Sequence, residues 1–224
     1  MANETNWNWK INCSENRNGK VQVILKTSCP WRPKESKLVL YRSSQLPNNP
    51  DNNIVWSKWW APNDNANGRD EIVYKYESDQ NWGTSTANWS AALIAKDDNN
   101  AAGGNYFYVT KSTETSWSWV IGCGEIHGKV KIILKTSCPW RPKESKLILY
   151  KGAQPKDPND RNVWKQWWAP ENRNNMQVEY ETNQDWGSDW SAALIAKNGN
   201  NAAAGDYCYV VKSEVTVRQT TNIR

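Results

Sequence analysis

The sequence predicts an all-β protein built as two tandem, duplicated antiparallel β-sandwich domains of about seven strands each. Three observations carry that expectation. The stretch Ile24–Leu38, ILKTSCPWRPKESKL, returns unchanged as Ile133–Leu147, which marks an internal duplication. Short runs in which apolar and polar residues alternate recur along both copies, the period of a half-buried strand. Gly, Asn and Pro clusters separate these runs at regular intervals, as turns do. The first copy is expected over residues 1–113 and the second over 114–224.

The elements follow in order. Trp7, Trp9, Ile11 and Cys13 share one face of a first strand. Asn18-Gly19 then signals a hairpin, with His127-Gly128 in its place in the second copy. The return strand points Val21, Val23 and Leu25 inward. The duplicated stretch reads as a polar, proline-punctuated loop around Trp31, and Leu38 and Leu40 start a third strand. A Pro/Asn-rich loop leads to Trp56–Trp60, where the adjacent Trp59 and Trp60 must face opposite ways if the segment is extended. The next strand buries Ile72, Tyr74 and Tyr76, matched by Met176, Val178 and Tyr180. A second invariant block, Trp89–Lys96 repeated as Trp190–Lys197, has enough alanine for a short helix. Its length of eight and the Gly/Asn loop that ends it favour a strand. In the last strand, Phe107 and Val109 share one face, and Tyr106 and Tyr108 the other. The tail Val215-Thr216-Val217 alternates too and extends the final strand in this reading.

Composition narrows the function. The chain holds 16 Trp against a single Phe, so tryptophan must fill much of the core. The net charge of +5 is spread along the copies and not gathered in a block, which argues against nucleic-acid binding. No apolar run is long enough to span a bilayer, and the N-terminus lacks a secretory signal pattern. A cytoplasmic location is therefore expected, with any release by a non-classical route. The five cysteines are an odd number, and Cys13 and Cys29 fall at opposite ends of the first hairpin. Free thiols are expected.

Catalytic chemistry finds little support. The only histidine, His127, has no counterpart in the first copy, no Ser sits in a nucleophile-elbow pattern, and no Cys/His spacing suits zinc. The chain is expected not to be an enzyme and to need no cofactor or metal. A flat indole with one polar N–H suits the apolar face of a sugar ring, with neighbouring polar side chains for its hydroxyls. The candidate ligand-binding residues are Trp31, Arg32, Glu35, Trp59 and Trp82, repeated as Trp140, Arg141, Glu144, Trp167 and Trp186. The leading expectation is a non-enzymatic lectin with one Trp-based site per repeat, binding glycans or glycoproteins bivalently. The alternative is a membrane-active or insecticidal defence toxin. On the lectin reading, membranes are touched only through glycans.

Overall fold

The computed structural model describes residues 4–63, 70–83, 88–97, 104–111, 114–170, 176–198 and 205–216. The described residues form an all-β protein with several antiparallel sheets and no helix. The first copy supplies β1 (Thr5–Glu15), β2 (Lys20–Thr27), β3 (Lys37–Tyr41), β4 (Trp56–Trp59), β5 (Ile72–Asn81), β6 (Ser90–Lys96) and β7 (Tyr106–Lys111). The second supplies β8 (Thr115–Ile126), β9 (Lys129–Thr136), β10 (Lys146–Lys151), β11 (Asn162–Trp167), β12 (Met176–Asp185), β13 (Trp190–Lys197) and β14 (Tyr207–Lys212). Both alanine-rich blocks are strands, buried along nearly their whole length, so burial overrides the helical preference of alanine.

The sheets do not divide as two separate sandwiches would. One six-stranded sheet, ordered β12-β9-β8-β1-β2-β5, takes three strands from each copy. Two four-stranded sheets, β4-β3-β6-β7 and β11-β10-β13-β14, belong to one copy each. The copies join where β1 pairs with β8, and Trp7 lies opposite its own counterpart Trp117. That self-pairing places a pseudo-two-fold axis through the middle of the large sheet. The expected boundary at residues 113 and 114 falls where the chain passes from β7 to β8, and residues 112–113 lie outside the described set.

The inner faces of all three sheets bury one continuous core, which includes Trp9, Ile11, Val21, Val23 and Leu25 with Ile121, Val130, Ile132 and Leu134. Small satellite cores lie on the outer faces of the four-stranded sheets: Val39, Tyr41, Ala92 and Ile94, and their partners Ile148, Tyr150, Ala193 and Ile195. Tyr41 Oη donates to Pro50 O and Tyr150 Oη to Pro158 O, tying the same crossing loop over each satellite core.

The hairpins show how local sequence sets the register. In the second copy, His127 (φ 50°) and Gly128 (φ 76°) form a two-residue turn with both residues left-handed. The first copy has one residue more: Asn16 N–H donates to Lys20 O, and only Gly19 is left-handed, at φ 71°. Asn16 Oδ1 accepts from the N–H groups of Asn18 and Lys20, which holds this wider turn closed. The tail does not lengthen β14. Thr216 forms an isolated bridge to Trp190 beside β13, and Val217 lies outside the described residues.

Candidate functional site

The duplicated loop is half core and half surface. Cys29, Trp31 and Arg32 are buried, as are Cys138, Trp140 and Arg141. Trp31 and Trp140 lie 5.3 Å apart and nearly parallel, at 29°, across the pseudo-two-fold axis. Trp9 meets Trp140 edge-on at 5.4 Å, and Trp119 meets Trp31 edge-on at 5.5 Å. Their buried indole N–H groups have no hydrogen-bond partner among the described residues. The electropositive ring edge against a neighbouring ring face is the compensating contact this arrangement offers.

The loops also hydrogen-bond to each other's copy. Pro33 bridges Pro142, Arg32 N–H donates to Lys197 O, and Arg141 N–H donates to Lys96 O. Lys34 N–H reaches Arg141 O, and Lys143 N–H reaches Arg32 O, both at 2.7 Å. The expectation that Trp31, Arg32, Trp140 and Arg141 face a ligand is therefore corrected. Each loop docks on the other copy, and that contact covers all four side chains.

Trp82 and Trp186 are half-buried against the main core. Their N–H groups donate to Gly19 O and Gly128 O, so each closes over the tip of its copy's first hairpin. Trp82 O also accepts from Trp89 Nε1 at 2.8 Å. These contacts account for both residues without a ligand.

Trp59 and Trp167 are different. They are 57% and 54% exposed, while the adjacent Trp60 and Trp168 are buried at 1%. The strand alternation read from the sequence holds. On the outer face of its four-stranded sheet, Trp59 lies opposite Lys37, whose Nζ sits 5.1 Å from the indole centroid. The same ammonium is 4.4 Å from the ring of Tyr106, and Lys96 Nζ is 5.2 Å from that ring on β7. Lys96 pairs with Glu35 at 3.4 Å. Glu35 is left-handed at φ 47°, which turns the exposed end of the duplicated loop toward β6. The second copy repeats the constellation. Lys146 lies 4.6 Å from Trp167 and 4.4 Å from Tyr207, Lys197 lies 5.4 Å from Tyr207, and Lys197 pairs with Glu144 at 3.6 Å. Of the ten sequence candidates, the structure brings together Trp59 with Glu35 and Trp167 with Glu144. It adds Lys37, Lys96 and Tyr106 with their counterparts. A register between strands was needed to find these, although the outward phase of Tyr106 was already legible.

The burial of Tyr207, then the charge of Glu144 and the hydrogen bond to it, push the phenol up to about 12, so it stays a donor. Burial and then the charge of Lys165 hold Lys146 below the ordinary lysine range. A concavity of about 450 Å³ is lined by Tyr41, Arg42, Ser43, Gln45, Asn53 and Ile54 among others. Its lining is only partly repeated, since Gly152, Arg161 and Asn162 stand where the first copy has Ser43, Asn53 and Ile54.

All five cysteines are free, as expected. Burial pushes their thiols up, Cys123 to about 12 and Cys208 to about 11, which leaves them protonated and poor nucleophiles. Among the described residues no group of His, Cys, Asp and Glu could hold a metal, and no helix is long and apolar enough to cross a membrane. The chain matches no family model, no curated protein and no solved structure.

Proposed function

We propose that the chain is a non-enzymatic carbohydrate-binding protein with one site per copy, centred on Trp59 and on Trp167, that engages glycans bivalently. The observation that carries this reading is the pair of half-exposed indoles at equivalent positions, each flanked by the same Lys, Tyr, Lys and Glu. An indole could have been hidden here, as the next residue of each strand is. Leaving it in water forgoes roughly 2 kcal/mol of burial, which a binding role offsets. The open ring face suits a sugar's C–H face, while ammonium, phenol and carboxylate groups suit its hydroxyls. The functional units are the copies, residues 1–113 and 114–224, each presenting its own four-stranded sheet as half of a sandwich over the shared one.

On this reading the partners are glycans or glycoproteins and not nucleic acids. The location is cytoplasmic, in keeping with free thiols. A glycan array followed by calorimetric titration with monovalent sugars tests it, with one site on each copy and agglutination of glycan-bearing cells expected. The alternative toxin has one observation in its favour, the exposed Trp59 and Val55, with Lys37 beside Trp59, a mixture suited to a lipid interface. Dye leakage from vesicles in the absence of any bound glycan would choose it.

A further inference from the structure

The two surface constellations share their rings but differ in charge. The first copy's loop is one residue longer before Pro47, and from Pro47 and Pro155 onward the loops correspond: Tyr41 reaches Pro50 as Tyr150 reaches Pro158, and the left-handed Asn53 matches the left-handed Arg161. Asp51 N–H donates to Asn49 Oδ1, and Asn159 N–H donates to Asp157 Oδ1, in the same turn. Asp51 and Asn159 are therefore equivalent positions. Asp51 pairs with Lys37 at 3.7 Å. Its counterpart Asn159 cannot pair with Lys146, and no carboxylate among the described residues lies within ion-pairing distance of that ammonium. One strand over, Ser57 lies opposite Val39, and its counterpart Lys165 lies opposite Ile148, two residues along from Lys146. Asp to Asn and Ser to Lys each add one positive charge. In the same loop Lys156 and Arg161 offset Asp157 and Asp160. Gln166 replaces Lys58, which lies over Tyr76 and not beside Trp59, so the Trp167 face is more positive by two.

We infer that the copies have diverged in ligand class: the site on Trp167, Tyr207, Lys146, Lys165 and Lys197 takes an acidic sugar bearing a sulfate or carboxylate, and the Trp59 site takes a neutral one. This rests on the carbohydrate reading above. The indole stacks on the ring of the sugar while its anionic group meets Lys146, the one ammonium of the pair whose neutralising carboxylate has been replaced. Burial, then crowding by Lys165, and last by Lys197, hold the Lys146 ammonium back, with Glu144 offsetting only part of this, so an anion at Lys146 is favoured. A neutral hexose gains nothing from these charges, and an acidic one is repelled at the first site by Asp51.

The test is calorimetry on the full chain with a heparin-derived hexasaccharide, a hyaluronan hexasaccharide, a neutral chito-oligosaccharide and single-stranded DNA. The sulfated or the carboxylated probe should bind at one site per chain, and its affinity should fall with added salt. N159D/K165S, which installs the first copy's charges on exposed positions, should weaken that binding roughly tenfold, as expected for two modest charge contacts. D51N/S57K should create a second acidic-sugar site. Trp167→Ala should abolish acidic-sugar binding and leave the melting temperature unchanged. Equal binding of an acidic probe at two sites, or no response to N159D/K165S, overturns the inference. So does DNA binding as tight as sugar and indifferent to Trp167→Ala, which marks a general polyanion surface. Neutral sugar at two sites with no acidic probe bound overturns the divergence but leaves the carbohydrate reading standing. Silence from every sugar removes both.

Discussion

Trp31 and Trp140 stack on one another at 5.3 Å across the axis that relates the two copies. Each is the equivalent of the other, so the contact is isologous: a change to the loop must suit the same loop facing it. That accounts for fifteen residues remaining identical in both copies without a ligand in the loop. Trp31→Ala should cost about 3–5 kcal/mol in urea denaturation, the range for a fully buried indole. The Trp31→Ala/Trp140→Ala double variant should lose less than the sum of the singles, since the two rings share one contact. A near-unchanged urea midpoint would show that the rings do not carry the core.

The halves should not stand alone as monomers. Residues 1–113 by themselves leave the Thr5–Trp9 edge of β1 without β8, and Trp7 Nε1 without Val210 O. The second half loses the matching bond from Trp117 Nε1 to Val109 O. Expressed separately, the first half should run as a dimer through its own copy of this interface, or fail to fold. A folded monomer in analytical ultracentrifugation contradicts the shared-core account.

Most of the strands were legible because their alternation is local. The inward sets Trp7-Trp9-Ile11-Cys13 and Phe107-Val109 all reach the main core, and Tyr106 and Tyr108 reach the satellite one. The Trp59/Trp60 doublet resolved as its period of two requires. The loop around Trp31 was not legible, for a physical reason. A proline-rich polar sequence specifies a loop, but what covers a loop is set by the other copy, far away in sequence. The joining of β1 to β8 was hidden likewise, because nothing in either strand's own pattern marks an edge that will be paired.

Alkaline pH should unfold the protein earlier than its surface charge implies. Burial raises the Cys29 and Cys138 thiols well above their ordinary value and raises Cys123 and Cys208 to about 12 and 11. The folded state therefore holds these protons more tightly than the unfolded chain. Their contribution is intact below about pH 9, the ordinary thiol range, and is lost as pH rises from there toward the folded values. Urea midpoints should fall steadily from pH 9 to 11, and less so in a variant with Cys123 and Cys208 changed to Ala. A flat profile over that range contradicts the assignment.

Two glycines of the second copy should respond in opposite directions. An added Cβ meets nothing within 4 Å at either Gly122 or Gly128, but only Gly128 is left-handed, at φ 76°. Gly128→Ala should cost roughly 1–2 kcal/mol of backbone strain. Gly122→Ala, inside β8, should gain about 0.4–1 kcal/mol by restricting the unfolded chain. Thermal melts of both variants check this, and equal signs would refute it.

The most direct measurement is calorimetric titration of the Trp59→Ala/Trp167→Ala variant with the best monovalent glycan from the array, beside a melting curve. Both indoles are more than half exposed, so stability should stay within about 0.5 kcal/mol of the parent. Binding should vanish in the double variant and in the single variant that removes the indole of that glycan's own site, while the other single variant should bind as the parent does. Undiminished glycan binding by a folded double variant would contradict the account.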